Sequence, residues 1–64
     1  MLWTDIYDIA IALEEKFPNH DILNLRFTDL QKHVLELDGF LDTSNRCNEK
    51  ILEAIQAAWL DERS

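Results

Sequence analysis

Asn48-Glu49-Lys50-Ile51-Leu52-Glu53-Ala54-Ile55-Gln56-Ala57-Ala58-Trp59-Leu60-Asp61-Glu62 is the stretch that decides the fold. Ile51, Leu52, Ile55, Ala58 and Trp59 recur at i, i+4, i+7/i+8 spacing, which lines one side of an α-helix. Glu49, Glu53 and the Asp61–Glu62 pair project away from that stripe. Asn48 is the natural N-cap. The segment is therefore both a core-forming helix and an acidic surface, and the rest of the chain must supply apolar faces to cover it.

Working back from that helix, the chain reads as helical almost throughout, punctuated by one Pro and one Gly. Thr4 predicts an N-cap, and Ile6, Ile9, Ala10, Leu13 and Phe17 follow at helical spacing until Pro18, so the first helix is expected from Asp5 to Lys16. Asn19-His20-Asp21 is a turn, and Asp21 could cap one short turn through Ile22-Leu23-Asn24. Thr28-Asp29-Leu30-Gln31 fits a capping box, and Leu30, Val34 and Leu37 give the apolar face of a second helix from Asp29 to Asp38. Gly39 suits the left-handed residue that ends it, Phe40 returns to the core, and Asp42-Thr43-Ser44-Asn45-Arg46 is a loop or small wing. The expected fold is mainly α: a single domain over residues 1–64 with crossing helices, resembling the helical part of a modified winged-helix fold.

Size and charge exclude much. A 64-residue chain buries only about 60% of its unfolded surface and has no room for a deep catalytic cavity. Thirteen Asp and Glu against six Lys and Arg give a net charge of −7, and the six cations are scattered. That balance repels phosphate backbones and anionic lipid, and it favours a basic protein partner or a hard cation. The alternative that the architecture invites is a small winged-helix DNA-binding transcriptional regulator reading a groove with Asp29–Val34. It lacks the flanking Arg and Lys that phosphate contacts require. Cys47 is the only cysteine, which excludes an intramolecular disulfide and points to a reducing, cytoplasmic setting. No apolar run approaches the ~20 residues of a membrane span. No nucleophile with an adjacent base, phosphate loop or metal cage indicates an enzyme.

Four blocks carry a resemblance: Trp3-Thr4-Asp5, Arg26-Phe27-Thr28-Asp29-Leu30, Asn48 to Ile55, and Trp59-Leu60-Asp61-Glu62. In this order and spacing they closely resemble the IscX family of small acidic iron–sulphur cluster assembly proteins, across nearly the whole chain. The resemblance implies a mainly helical, modified winged-helix domain and does not imply an enzyme; the three capped amphipathic segments predict a monomer. It implies an adaptor or regulator that binds the cysteine desulfurase of the assembly system, overlapping there with a frataxin-like protein and ferredoxin. No tightly bound cofactor is implied, only weak iron binding through surface carboxylates. His33, the loop 42–46 and Cys47 depart from the family pattern, and Arg46 reverses the charge expected there.

The carboxylates have candidate roles of their own. At about 100° per residue, Asp5, Asp8 and Glu15 share one side of the first helix, beside its apolar arc. With Asp29 they form the expected partner-binding set. If the first and last helices pack antiparallel, Asp5 and Asp8 approach Asp61 and Glu62, and these four are the candidate metal ligands, hard oxygen donors able to hold iron loosely. The structural reading of Asp5 and Asp8 is as first-turn acids that favour the helix dipole by ~0.3–1 kcal/mol each; Asp61 and Glu62, at a helix C-terminus, oppose it. Trp3 and Trp59 read as core residues, Tyr7, Ile11 and Leu60 as apolar residues outside the main arcs, His20 and His33 as separate surface residues, and Cys47 as an ordinary small side chain.

Overall fold

The computed structural model describes all 64 residues as three α-helices and one 3₁₀ turn, with no strand. Helix α1 spans Ile6–Lys16, α2 Phe27–Leu35 and α3 Glu49–Arg63, with the 3₁₀ turn at Ser44–Arg46. Each helix contributes its apolar face to one core. Ile9, Ala10 and Leu13 come from α1, Leu30 and Val34 from α2, and Leu52, Ile55, Ala58 and Trp59 from α3; Trp3, Ile22 and Leu37 close it from the connecting segments. No polar or charged residue is buried. The packing of α1 on α3 dominates, and no helix is long and apolar enough to cross a membrane.

Helix α3 obeys its sequence closely. Asn48 Oδ1 accepts the Ile51 backbone N–H at 2.9 Å, satisfying one of the donors that a helix start leaves unpaired. At α1 the cap position falls on Asp5 rather than Thr4, and its carboxylate turns back to accept the Leu2 N–H at 2.8 Å instead of capping. Pro18 acts as expected: α1 stops at Lys16.

Helix α2 starts two residues before the expected Asp29 and ends three before Asp38. The capping box does not form, because Thr28 already lies inside the first turn and Gln31 Nε2 donates to the Ser44 carbonyl at 3.3 Å. Winding back to Phe27 sets that ring against the core. Beyond Leu35 the chain tightens, with the Leu37 N–H on the Val34 carbonyl, and this carries Leu37 inward. Gly39 then takes φ +80°, the left-handed conformation that L side chains resist. The turn expected at Asp21 is present as a side-chain-braced turn: Asn24 donates to Asp21 through Nδ2 at 2.7 Å.

No wing hairpin exists. The chain start instead lies along residues 39–43: the Met1 ammonium donates to the Gly39 carbonyl at 2.6 Å and the Leu41 N–H to the Met1 carbonyl at 2.9 Å. Trp3 is the anchor of this arrangement, its indole N–H on the Thr43 carbonyl at 2.7 Å and its ring edge-on to Phe40 with centroids 4.8 Å apart.

Candidate functional site

Helix α1 turns two faces to different surroundings. Ile9, Ala10 and Leu13 face the core; Tyr7, Asp8, Ile11 and Glu15 are exposed. Asp8 and Glu15 are seven residues apart, about two helical turns, and so lie above one another on one edge. Asp5 stands just outside the helix with its carboxylate on Leu2, and Asp29 is exposed in the first turn of α2. The ion pairs of the molecule, Arg46–Asp42 at 3.8 Å and Arg63–Glu14 at 2.9 Å, neutralise none of the expected partner-binding carboxylates.

The antiparallel packing of α1 and α3 is not what the molecule adopts. Glu14 and Phe17, at the end of α1, meet Trp59 and Arg63, near the end of α3, so the two C-terminal ends lie together. The first turn of α1 lies over the later half of α3, where Ile6, Tyr7, Ala54, Ala57, Ala58 and Asp61 line a shallow groove of about 370 Å³. Asp61 thus approaches Tyr7. Nowhere do three or more His, Cys, Asp or Glu side chains converge as a chelating group, so Asp5, Asp8, Asp61 and Glu62 form no closed corner. The donor set does not fit a resident iron centre.

Glu14, with no candidate role in the sequence, is the busiest carboxylate. It accepts from Trp59 Nε1 at 2.9 Å and from Arg63 Nη2 at 2.9 Å. Arg63 also donates to the Phe17 carbonyl at 2.9 Å and to the His20 carbonyl. The Arg63 bond, then the Trp59 bond, hold the Glu14 carboxyl below its usual range. Asn24 does the same for Asp21, and the Thr43 N–H for Asp42. Burial pushes the Cys47 thiol up, which disfavours the reactive thiolate.

His20 and His33 are not separate surface residues. Their Nε2 atoms lie 3.1 Å apart, and both rings pack on Phe17 with centroids 4.9 and 4.6 Å away. The signal was present in α2, where Leu30, His33, Val34 and Leu37 follow i, i+3, i+4, i+7 spacing and place His33 on the apolar face. Against Phe17 and Trp59 the pair closes the core where α1 ends.

A small all-helical domain with an exposed acidic edge on α1 is the class that this geometry defines. The family model for iron–sulphur cluster assembly matches residues 1–64, and the chain belongs to that family, as its resemblance to IscX proteins implied. A relative in Pseudomonas aeruginosa, an uncharacterized protein, is 51% identical over 61 residues, covering 95% of this chain and 92% of its own length.

Proposed function

We propose that this protein is a non-enzymatic accessory factor of cytoplasmic iron–sulphur cluster assembly that docks on a cysteine desulfurase through its acidic surface. Its role in cluster assembly rests on family membership across the whole chain. The observation that carries the docking reading is the edge formed by Asp8 and Glu15 on α1, exposed and outside both ion pairs of the molecule. Charges left unpaired on a rigid helix steer encounter with a basic patch at little cost in folding stability. Asp5 and Asp29 extend the acidic surface on neighbouring segments. A frataxin-like protein or ferredoxin using the same basic patch would compete.

Iron has a secondary place in this reading. Asp5, Asp8, Asp61 and Glu62 can each offer hard oxygen donors, and without a third converging side chain such contacts are weak and shared with other divalent ions. Calorimetric titration of the desulfurase tests the docking reading. Affinity should fall steeply between 0.1 M and 1 M salt as the Debye length shrinks from ~10 Å to ~3 Å. A wild-type protein that shows no binding at 0.1 M salt rejects it.

A further inference from the structure

The exposed face of α1 is not uniformly acidic. Tyr7 is 76% exposed and Ile11 42%, although both are large apolar residues on the longest-packed helix pair of the molecule. At about 100° per residue Ile11 lies ~40° around the helix from Tyr7, Glu15 ~80° and Asp8 ~100°. Glu14, ~20° to the other side, is already taken by Trp59 and Arg63. Tyr7 therefore stands at the seam where α1 meets α3, and Ile11 continues its exposed apolar surface one turn along α1, on the side toward Glu15 and Asp8. Across the seam this surface continues as a strip into the groove through the exposed Ala54 and Ala57.

Charge borders this strip on both sides. Asp8 and Glu15 form its outer edge on α1, and Asp61 lines the groove on α3. Lys50, one turn before Ala54, marks the opposite end of the α3 side. An apolar centre with a charged rim is the anatomy of a specific interface, in which a central aromatic carries affinity and the rim sets partner choice.

We propose that the Tyr7–Ile11–Ala54–Ala57 strip is the anchor of the docking surface, and that it receives a segment of a partner protein carrying a large apolar side chain flanked by Arg or Lys. The proposal rests on the docking reading above and deepens it: the carboxylates steer, and the strip holds. Charge selects this occupant. A second copy would bring three carboxylates, Asp8, Glu15 and Asp61, against the same three with Lys50 as the one cation of the rim, whereas a basic segment meets Asp8 and Glu15 on one border and Asp61 on the other. The groove is shallow and lined on the α3 side by the small side chains of Ala54, Ala57 and Ala58, so it seats one apolar side chain from outside rather than a small molecule enclosed on all sides.

The test uses the full chain, ¹⁵N-labelled, and a synthetic helix-forming peptide with two Leu at i, i+4 flanked by Arg, beside a matched peptide with Gln for Leu. The Leu peptide should shift the amides of Tyr7, Ile11, Ala54 and Ala57 and bind at least tenfold tighter than the Gln peptide. Tyr7→Ser with Ile11→Ser should lose that advantage while keeping its helical circular dichroism. The same double variant should bind the cysteine desulfurase at least tenfold more weakly at 0.5 M salt. Equal binding of the two peptides, or unchanged binding by the double variant, overturns the proposal. So does a wild-type dimer in sedimentation that Tyr7→Ser dissolves, since the strip then serves a second copy. A wild-type protein that ignores the desulfurase but takes the Leu peptide on the strip removes that enzyme as partner and supports the anchor.

Discussion

Glu14 Oε1 lies 2.9 Å from Trp59 Nε1, a hydrogen bond that ties the last turns of α1 to those of α3 across 45 residues of chain. Trp59 is the larger part of that link, because its ring is wholly buried while its one polar atom reaches a half-exposed carboxylate. A buried indole N–H needs such an acceptor. Arg63 then covers the carboxylate and stacks beside the indole, its guanidinium carbon 5.7 Å from the ring.

Trp59→Ala removes this link and leaves a cavity, at a cost of ~3–5 kcal/mol. A domain this small has a margin of roughly the same size. Urea unfolding followed by circular dichroism should show no cooperative folded baseline for the variant. A cooperative transition near the wild-type midpoint would mean that the core is organised around other residues.

Stability should decline on acidification, and the sign follows from three carboxylates. Glu14, Asp21 and Asp42 all have carboxyls held below their ordinary range in the folded protein by Arg63, Asn24 and the Thr43 N–H respectively. The unfolded chain takes up protons at the ordinary values of ~3.9–4.3, before the folded protein does. The contribution is therefore fully present above that range and disappears as pH falls through it toward the lower folded values. Thermal melts at pH 6, 4 and 3 should show a falling midpoint, and Glu14→Gln should flatten the profile while lowering it at pH 6. A midpoint that rises on acidification contradicts the arrangement.

Gly39 offers a cleaner backbone test. Its φ is +80°, and a Cβ built there meets nothing within 4 Å. The cost of Gly39→Ala is thus conformational, roughly 1 kcal/mol, and free of steric clash. Gly39→Asn should cost less, because Asn tolerates the left-handed region. If Ala and Asn destabilise equally in urea titrations, the left-handed conformation is not what Gly39 supplies.

The two histidines make a prediction about protons. His33 Nδ1 is buried without a partner, so a hydrogen there would be unsatisfied, and the neutral ring must carry its proton on Nε2. With that tautomer the His33 N–H would donate to His20 Nε2, 3.1 Å away, and His20 would carry its own proton on Nδ1. Long-range ¹H–¹⁵N correlation spectra above pH 8 distinguish the tautomers. Finding His33 protonated on Nδ1 would require a different packing of the ring against Phe17.

Much of this architecture is legible from spacing alone, and what escapes has a common cause. The stripe Leu52, Ile55, Ala58 and Trp59 and the cap Asn48 can be read directly, because both depend on residues within one helix. The α2 boundaries and the missing capping box depend on Phe27 and Leu37 reaching a core that lies outside their own segment. Likewise, periodicity gives the faces of α1 and α3 but not which ends meet. The Glu14–Trp59–Arg63 cluster sets the C-terminal ends together, while the groove brings the start of α1 to Asp61 without gathering three acidic side chains at one point. The acidic edge of Asp8 and Glu15 survives, since it depends on one helix only.

That distinction fixes the choice of charge reversals for mapping the docking surface. Asp8→Lys and Glu15→Lys change the edge while touching no hydrogen bond or ion pair, so their effects on desulfurase affinity report contact. Glu14→Lys cannot serve as a neutral comparison: it would set a cation against Arg63 and leave the Trp59 N–H without its acceptor, weakening the fold itself. Glu36→Lys changes net charge equally at an exposed site just beyond α2, where only the backbone of Glu36 is engaged, its N–H on the Lys32 carbonyl at 3.2 Å and its carbonyl by Lys16 Nζ at 3.1 Å. At 0.1 M salt the Asp8 and Glu15 reversals should each weaken binding about tenfold, or ~1.4 kcal/mol, and Glu36→Lys by less than half that energy. The gap should narrow toward 1 M salt as screening removes the charge contribution. Equal losses for all three would mean that net charge alone drives the encounter, and the edge on α1 would then have no special standing.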